Sequence, residues 1–255
     1  MTQTISNIIK ETIKQYRELK LDGKTVVTPY FINDKRRKDL RAMVGKGTPE
    51  EIIMESKIWE KLKGTDFDTM NEDSIKQFLI DRGIGIDCSG FITHILDSQS
   101  QQKTGKHVWN FLRIPQNGII WKLRYWLRPV EQLGAEVLTD KDNTIPISID
   151  EVMPGDLIRS KAKKNNGHHI MIITEVDRNE NNSVKSITYT HSSPYYGKNN
   201  GIKEGKIEIV NPNAPLKDQN WLEVDETGEN HTLEGFLINN EDNGLRRLKC
   251  FNEIF

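Results

Sequence analysis

The stretch Ile86-Asp87-Cys88-Ser89-Gly90-Phe91 decides how the chain can be interpreted. It follows Arg82-Gly83-Ile84-Gly85, a glycine-containing segment that is typical of a loop. After it, apolar residues recur at the three- and four-residue spacing that predicts one face of a helix, namely Phe91, Ile92, Ile95 and Leu96. We therefore predict that Cys88 lies at or just inside the first turn of a helix.

A cysteine in that position can act as a nucleophile. Unpaired backbone N–H groups and the helix dipole favour negative charge at a helix start, so we expect the pKa of Cys88 to lie below its usual value. The competing interpretation is a small buried residue on the apolar face, which is the commoner fate of a lone cysteine. Residues elsewhere in the chain must decide between the two.

Two downstream segments predict a β-hairpin that carries histidines. Residues 168–176 form an apolar strand, residues 177–183 a polar turn, and a second strand ends at His191. If the turn is centred on Glu180, His169 faces His191, and directly opposed Cβ atoms lie about 4.5–5.5 Å apart. A slip of one residue would place His168 there instead, and both faces of the first strand are apolar. The pattern therefore leaves His168 and His169 as alternatives.

Five motifs in chain order resemble those of the NlpC-type papain-like cysteine peptidases. They are Asp87-Cys88-Ser89-Gly90-Phe91, Pro154-Gly155-Asp156, His169 before an apolar strand, Thr190-His191-Ser192, and the closing Arg246-Arg247-Leu248. The resemblance spans roughly residues 83–248. It implies an α+β papain-like fold in which the nucleophile helix packs on an antiparallel sheet.

The resemblance also implies catalytic roles. Cys88 would be the nucleophile, His169 the general base and His191 the third residue that orients His169, which is how an activated thiol is assembled. The family places its histidine immediately before the apolar strand, which favours His169 over His168. In some members the residues flanking the cysteine help bind a free amine of the substrate, which here implies Asp87 and Ser89.

One part of the family pattern lies in an unexpected place. Members usually carry a tyrosine about a dozen residues before the cysteine, within a glycine-rich entry segment, but residues 74–78 contain none. Thr28-Pro29-Tyr30 resembles that segment and lies far upstream, separated from Cys88 by a helical insertion. Tyr30 is accordingly our third predicted substrate-binding residue.

The residues before Gly83 predict a separate unit. Apolar spacing within residues 6–21, a Thr48-Pro49 helix start and a third cap near residue 71 indicate helices. We predict a mainly helical N-terminal extension at 1–82 and a papain-like domain at 83–255. Within the latter, residues 121–128 predict an amphipathic helix that buries Trp and Leu, the alternative being an aromatic wall of the substrate cleft.

Composition limits the classes of partner. The 255 residues carry 36 basic and 37 acidic side chains, a net charge of -1, which argues against a nucleic-acid binder. No run approaches the roughly 18 apolar residues of a membrane helix, so we predict no membrane insertion. No signal peptide is recognisable, so we expect a cytoplasmic protein, or a secreted one if a leader was removed. The oligomeric state is left open.

The resemblance thus implies a cysteine hydrolase that cleaves amide bonds in peptidoglycan stem peptides or related small peptides. A related amidase, deamidase or acyltransferase would use the same residues, and a non-catalytic binding module that kept the fold is the alternative outside enzymes. We predict no cofactor and no metal. A zinc site formed by Cys88, His169 and His191 is the alternative, but no paired-cysteine or His-x-x-x-His spacing accompanies them. Cys250 is interpreted as a packing residue.

Overall fold

The computed structural model describes residues 1–32, 40–114, 123, 125–161, 167–239 and 241–255. The α-helices are α1 (Asn7–Arg17), α2 (Pro49–Lys63), α3 (Glu72–Arg82), α4 (Cys88–Thr104), α5 (Pro129–Gln132), α6 (Ala135–Leu138), α7 (His231–Leu237) and α8 (Phe251–Ile254). The strands are β1 (Thr2–Thr4), β2 (Leu19–Leu21), β3 (Lys24–Val26), β4 (Thr144–Pro146), β5 (Leu157–Lys161), β6 (His168–Arg178), β7 (Val184–Ser193), β8 (Gly201–Glu208), β9 (Asn220–Trp221) and β10 (Gly244–Leu248).

Helix α4 begins at Cys88, which confirms the predicted helix start. Asp87 is its N-cap, and its carboxylate accepts a hydrogen bond from the backbone N–H of Gly90 at 2.6 Å. Gly105 ends the helix in the left-handed conformation, at φ +70°. At Gly90 a Cβ would lie 2.4 Å from the carbonyl oxygen of Gly45, so only glycine lets the first turn approach that segment.

An antiparallel sheet forms the other layer, in the order β4-β10-β5-β6-β7-β8-β9, with β1 added to β6. Strand β6 pairs with β5 through its first half and with β1 through residues 175–177. Helices α1 and α4 cover one face, where Ile170 and Ile172 point into the larger core, whereas Met171 and Ile173 point into a second core on the opposite face. The fold is therefore α+β, as predicted.

The β6–β7 hairpin forms, but its predicted register was wrong. The turn lies between the paired residues Arg178 and Val184, so its centre is one residue after the predicted centre at Glu180. Bulges also interrupt the pairing of the two strands. Ile172 consequently faces Thr190, two residues from its predicted partner, whereas beyond the bulge Glu175 faces Thr188, three residues from its predicted partner. A shift of two keeps each side chain on its face because the side-chain period of a strand is two.

The proline-glycine-aspartate motif connects distant parts of the sheet. Asp156 is fully buried and accepts two hydrogen bonds from the guanidinium of Arg247, at 2.8 and 2.6 Å. The same carboxylate accepts the backbone N–H of Met153 at 2.7 Å. A bidentate pair of this kind fixes orientation as well as distance, so the motif sets where β5 and β10 meet.

The N-terminal segment packs into the same sheet and core as the residues that follow it. Strand β1 belongs to the main sheet, and Ile9 and Tyr16 of α1 lie in the same core as Phe91 of α4. The ring of Tyr16 meets that of Phe91 edge-on at 5.4 Å. The predicted boundary at residue 82 therefore divides a shared core, although the segment does carry α1, α2 and α3.

The prediction for residues 121–128 was wrong for the residues that can be compared. Leu123, Trp126 and Leu127 are 57%, 78% and 61% exposed instead of packed inward. Trp121, Lys122 and Arg124 lie outside the described residues. Amphipathic spacing indicates which side chains share a face but not whether another element covers that face.

Candidate active site

Cys88 lies against the start of β6. The described pairing of β6 with β7 ends at Ile172 and Thr190, so the two strands separate beyond those residues. The backbone N–H groups of Ile170 and Ser89 are directed to the sulfur of Cys88. The preceding loop is fixed to β7, because the hydroxyl of Ser192 donates to the carbonyl of Ile86 at 2.8 Å. Cys88 is thus held beside the residue that follows His169.

A chain of buried hydrogen bonds leads from that point into the protein. Nε2 of His169 lies 2.7 Å from Nδ1 of His191, and Nε2 of His191 lies 2.8 Å from Oε1 of Glu223. The hydroxyl of Tyr189 donates to the other oxygen of Glu223 at 2.6 Å. His168 is directed elsewhere, its Nε2 3.4 Å from Nζ of Lys161. We call His169, His191 and Glu223 the histidine chain.

Burial sets the protonation state of the histidine chain. It lowers the pKa of His169 to about 3, with the neighbouring His191 acting in the same direction and Glu223 opposing it. Burial would raise the pKa of Glu223, but His191 and the hydrogen bonds to its carboxylate lower it to about 2. At neutral pH the chain therefore consists of a neutral imidazole at His169 and a carboxylate at Glu223.

The expected low pKa of the nucleophile is not found. Burial, with the adjacent charge of Asp87 acting in the same direction, raises the pKa of Cys88 to about 12. Lys46 and the two backbone N–H groups act in the opposite direction but do not compensate for the lost hydration. Cys88 is therefore a thiol in this state, and a helix start alone does not produce a thiolate.

A second polar cluster lies on the other side of Cys88. The ammonium of Lys46 donates to Oδ1 of Asp87 at 2.9 Å and to the hydroxyl of Ser89, which itself donates to the same carboxylate oxygen at 2.9 Å. The side chains of Lys46 and Asp87 are only 8% and 5% exposed. We call these three residues the lysine cluster. It uses the two side chains that sequence analysis assigned to a substrate amine.

With this geometry established, comparison with known families is informative. Residues 60–209, more than half of the chain, match the family model described as "Putative amidase domain". The chain belongs to that family. No curated protein and no solved structure gives a significant match.

The amidase family assignment supports an enzyme that hydrolyses amides. The matched segment contains Cys88, His169 and His191, whereas Lys46 precedes it and Glu223 follows it. None of the described helices is long and apolar enough to cross a membrane.

Tyr30 lies beside this candidate site despite its distance in sequence. It forms a β-bridge with Ile86, two residues before Cys88. It also lines a small cavity together with His169, Tyr195 and Thr232. The chain segment that resembles the family's entry segment is thus brought to the cysteine by the fold, across an insertion that contains α2 and α3.

The remaining histidines have structural partners. His94 contacts the carbonyl of Lys46 at 2.9 Å, and His107 stacks on Trp109 with ring centroids 4.1 Å apart. Among the described residues, Asp225, Glu229 and His231 form a group whose possible metal-ligand atoms lie within 4.8 Å of one another. Asp225 and His231 are already joined at 2.7 Å, so their proximity has an explanation without an ion.

Sequence reasoning missed Glu223 and Lys46. Glu223 is an acidic residue within the otherwise apolar run Trp221-Leu222-Glu223-Val224, a signal for a buried charge that needs a partner. Lys46 stands between Gly45 and Gly47, which marks a tight segment but not its neighbours. Neither position indicates which side chain it meets, because the contacts span 32 and 41 residues.

Proposed function

We propose that the protein is a thiol-dependent amide hydrolase in which Cys88 is the nucleophile, His169 the general base and His191 the residue that orients the base. The observation that carries the proposal is the hydrogen bond between His169 and His191 at the strand start that Cys88 contacts. The family assignment supports amide hydrolysis independently of it. We further propose that the fold is papain-like in the NlpC manner, with the nucleophile helix packed on an antiparallel sheet.

The proposed reaction starts from the neutral thiol of Cys88 and the neutral imidazole of His169. As the sulfur of Cys88 bonds to the amide carbon, its proton passes to Nδ1 of His169, the ring nitrogen not directed at His191. The C–N bond then breaks, and His169 returns that proton to the departing amine. Water, deprotonated by the same imidazole, attacks the thioester, and the acid product leaves as the thiol re-forms.

The start of α4 supplies electrostatic help. The backbone N–H of Cys88 belongs to the first turn, whose N–H groups have no partner within the helix. Directed at the carbonyl oxygen, it would stabilise the negative charge that develops there. The high pKa of the resting thiol means that the thiolate forms during the reaction and not before it.

For substrates, we propose small peptides with amides of the kind found in peptidoglycan stems. Asp87 and Ser89 do not bind a substrate amine in this proposal, because the ammonium of Lys46 already donates to Oδ1 of Asp87 and to the hydroxyl of Ser89. A substrate whose nearby amine is blocked should therefore be accepted. Tyr30, which lines the cavity beside His169, is proposed to contact the peptide.

The test is hydrolysis of a panel of short peptides with D- or γ-linked amides, each offered with a free amine and as its N-acetyl derivative. We expect turnover by the wild-type chain, none by Cys88→Ala, and comparable rates for the free and acetylated forms. Equal background rates for wild type and Cys88→Ala on every amide would overturn the hydrolase proposal. A strict requirement for the free amine would overturn the role given to Lys46.

A further inference from the structure

We propose that Glu223 is a positioning residue that selects the tautomer of His169 through His191. The inference rests on the proposed function, because a tautomer matters only if His169 accepts a proton. Glu223 lies outside the segment that matches the family model, so the assignment comes from the hydrogen-bond geometry alone.

When both imidazoles are neutral, the donors and acceptors along the histidine chain leave one consistent arrangement. An ionised carboxylate can only accept, so Nε2 of His191 must carry a hydrogen toward Glu223. A neutral His191 then has a lone pair on Nδ1 and accepts from Nε2 of His169. His169 is left with its lone pair on Nδ1, which is the nitrogen that must receive the thiol proton.

The opposite arrangement would disable the base. If Nε2 of His191 lost its acceptor, the hydrogen of His191 could move to its own Nδ1, which would then donate to Nε2 of His169. The hydrogen of His169 would in that case lie on Nδ1 of His169. The imidazole of His169 would then present an N–H to Cys88, and a nitrogen that already carries a hydrogen cannot accept the thiol proton. Glu223 thus acts at a distance of two hydrogen bonds from the reacting atoms.

The surroundings hold Glu223 in this state. Its side chain and that of His191 are both 0% exposed, so water cannot substitute as the acceptor. Tyr189 donates to the second carboxylate oxygen, which favours the ionised form. The negative charge also raises the pKa of His169, so it stabilises the imidazolium that forms when the thiol is deprotonated.

The experiment measures the tautomer directly in the resting protein. Long-range ¹⁵N–¹H spectra of the uniformly labelled chain distinguish Nδ1–H from Nε2–H imidazoles, and a His169→Gln sample identifies the His169 signals among six histidines. We expect His169 to be the Nε2–H tautomer in the wild type. In Glu223→Gln, whose amide can donate to His191, we expect a substantial Nδ1–H population.

A matched control separates tautomer selection from packing. Tyr189→Phe removes a hydrogen bond to the second oxygen of the same carboxylate but leaves the acceptor for His191 in place. We expect this variant to keep the wild-type tautomer. On a peptide that the wild type cleaves, Glu223→Gln should lower kcat by about 10²-fold, the lower end of the range for a lost proton-transfer group, with KM little changed.

The outcomes are distinct from those of the hydrolase test. A wild-type His169 with its hydrogen on Nδ1, or Glu223→Gln with both tautomer and kcat unchanged, would overturn the proposal. So would an equal tautomer change in Tyr189→Phe. Because the spectra need no substrate, they test the role of Glu223 even if every amide offered proves inert.

Discussion

Two buried polar clusters lie near Cys88, and they differ in the interactions that hold them together. The lysine cluster joins the ammonium of Lys46 to the carboxylate of Asp87, the N-cap residue of α4. The histidine chain places two hydrogen-bonded imidazoles between the cysteine and one carboxylate, Glu223. The lysine cluster fixes its side chains by charge, whereas the histidine chain determines which nitrogen donates and which accepts in each hydrogen bond. A site that must move a proton needs the second kind, and a site that must only keep its shape can use the first.

Their different construction suggests different consequences of mutation. Loss of a member of the histidine chain should affect the reaction more than the fold. Loss of Lys46 from the lysine cluster leaves the buried charge of Asp87 without its partner, which should affect the fold more than the reaction. Four sets of substitutions or labelling measurements test whether the two clusters differ in this way.

The largest effect is expected at the reacting end of the histidine chain. Cys88→Ala and His169→Ala should each reduce kcat by at least about 10²–10⁴-fold, because nucleophile and base take part in bond making. The double variant should be little worse than either single variant, since the two residues act as one unit. Steady-state kinetics on a cleaved peptide measures this, with urea melts to establish that all three proteins are folded. Fully additive losses would contradict a shared step.

Lys46→Met should lower the free energy of unfolding more than it lowers activity, the opposite of the effect expected in the histidine chain. It strands the buried charge of Asp87, and breaking a buried ion pair costs about 3–5 kcal/mol. The matched control is Lys185→Met, which removes an exposed lysine 3.8 Å from Asp177 and should cost no more than about 1 kcal/mol. Urea unfolding of both variants gives the comparison. Equal losses would show that the lysine cluster does not stabilise the fold.

His191 should show an intermediate effect that depends on the replacement. His191→Ala removes the acceptor for His169 and should lower kcat by less than His169→Ala does, because His191 touches no reacting atom. His191→Asn and His191→Gln keep a hydrogen-bonding side chain and should retain more activity than His191→Ala. The three rates, measured on one peptide, give the order. If His191→Ala behaved as wild type, His191 would have no orienting role.

The smallest effect concerns the two cysteines. Burial raises the pKa of Cys88 to about 12 and that of Cys250 to about 11, so both are protonated at neutral pH. The thiolate fraction of each should rise about tenfold per pH unit from pH 7 to 9 without a plateau. Iodoacetamide labelling followed by peptide mapping measures both rates. A plateau for Cys88 near neutral pH would indicate a preformed thiolate.

Local rules predicted much of the site. The spacing after Cys88 and the cap at Asp87 define a helix start within a few residues, so sequence was sufficient there. The hairpin kept His169 and His191 on one face despite the register error, because the two-residue shift preserves alternation. Its turn could not be located, since Asp177 to Ser183 offers several polar positions and the bulges depend on neighbouring strands.

Long-range contacts were beyond local rules. Glu223 reaches His191 through the folded path of β8 and β9, and Lys46 reaches Asp87 across α2 and α3, so no periodicity links either pair. The exposure of Trp126 was mispredicted for a related reason: the pattern that marks an apolar face says nothing about what covers it. Tyr30 was found only because its neighbours resembled a known segment.

The pairing of β1 with β6 has a consequence for how the chain folds. Thr2 is 175 residues from Asp177, the residue it meets across the sheet. During synthesis the first strand must therefore remain without its partner until most of the chain has emerged. Contacts of such separation carry a loop-closure cost before they contribute stability, and they slow folding. The strand that carries His169 should accordingly gain its last neighbour late, and refolding should be slow in its final phase.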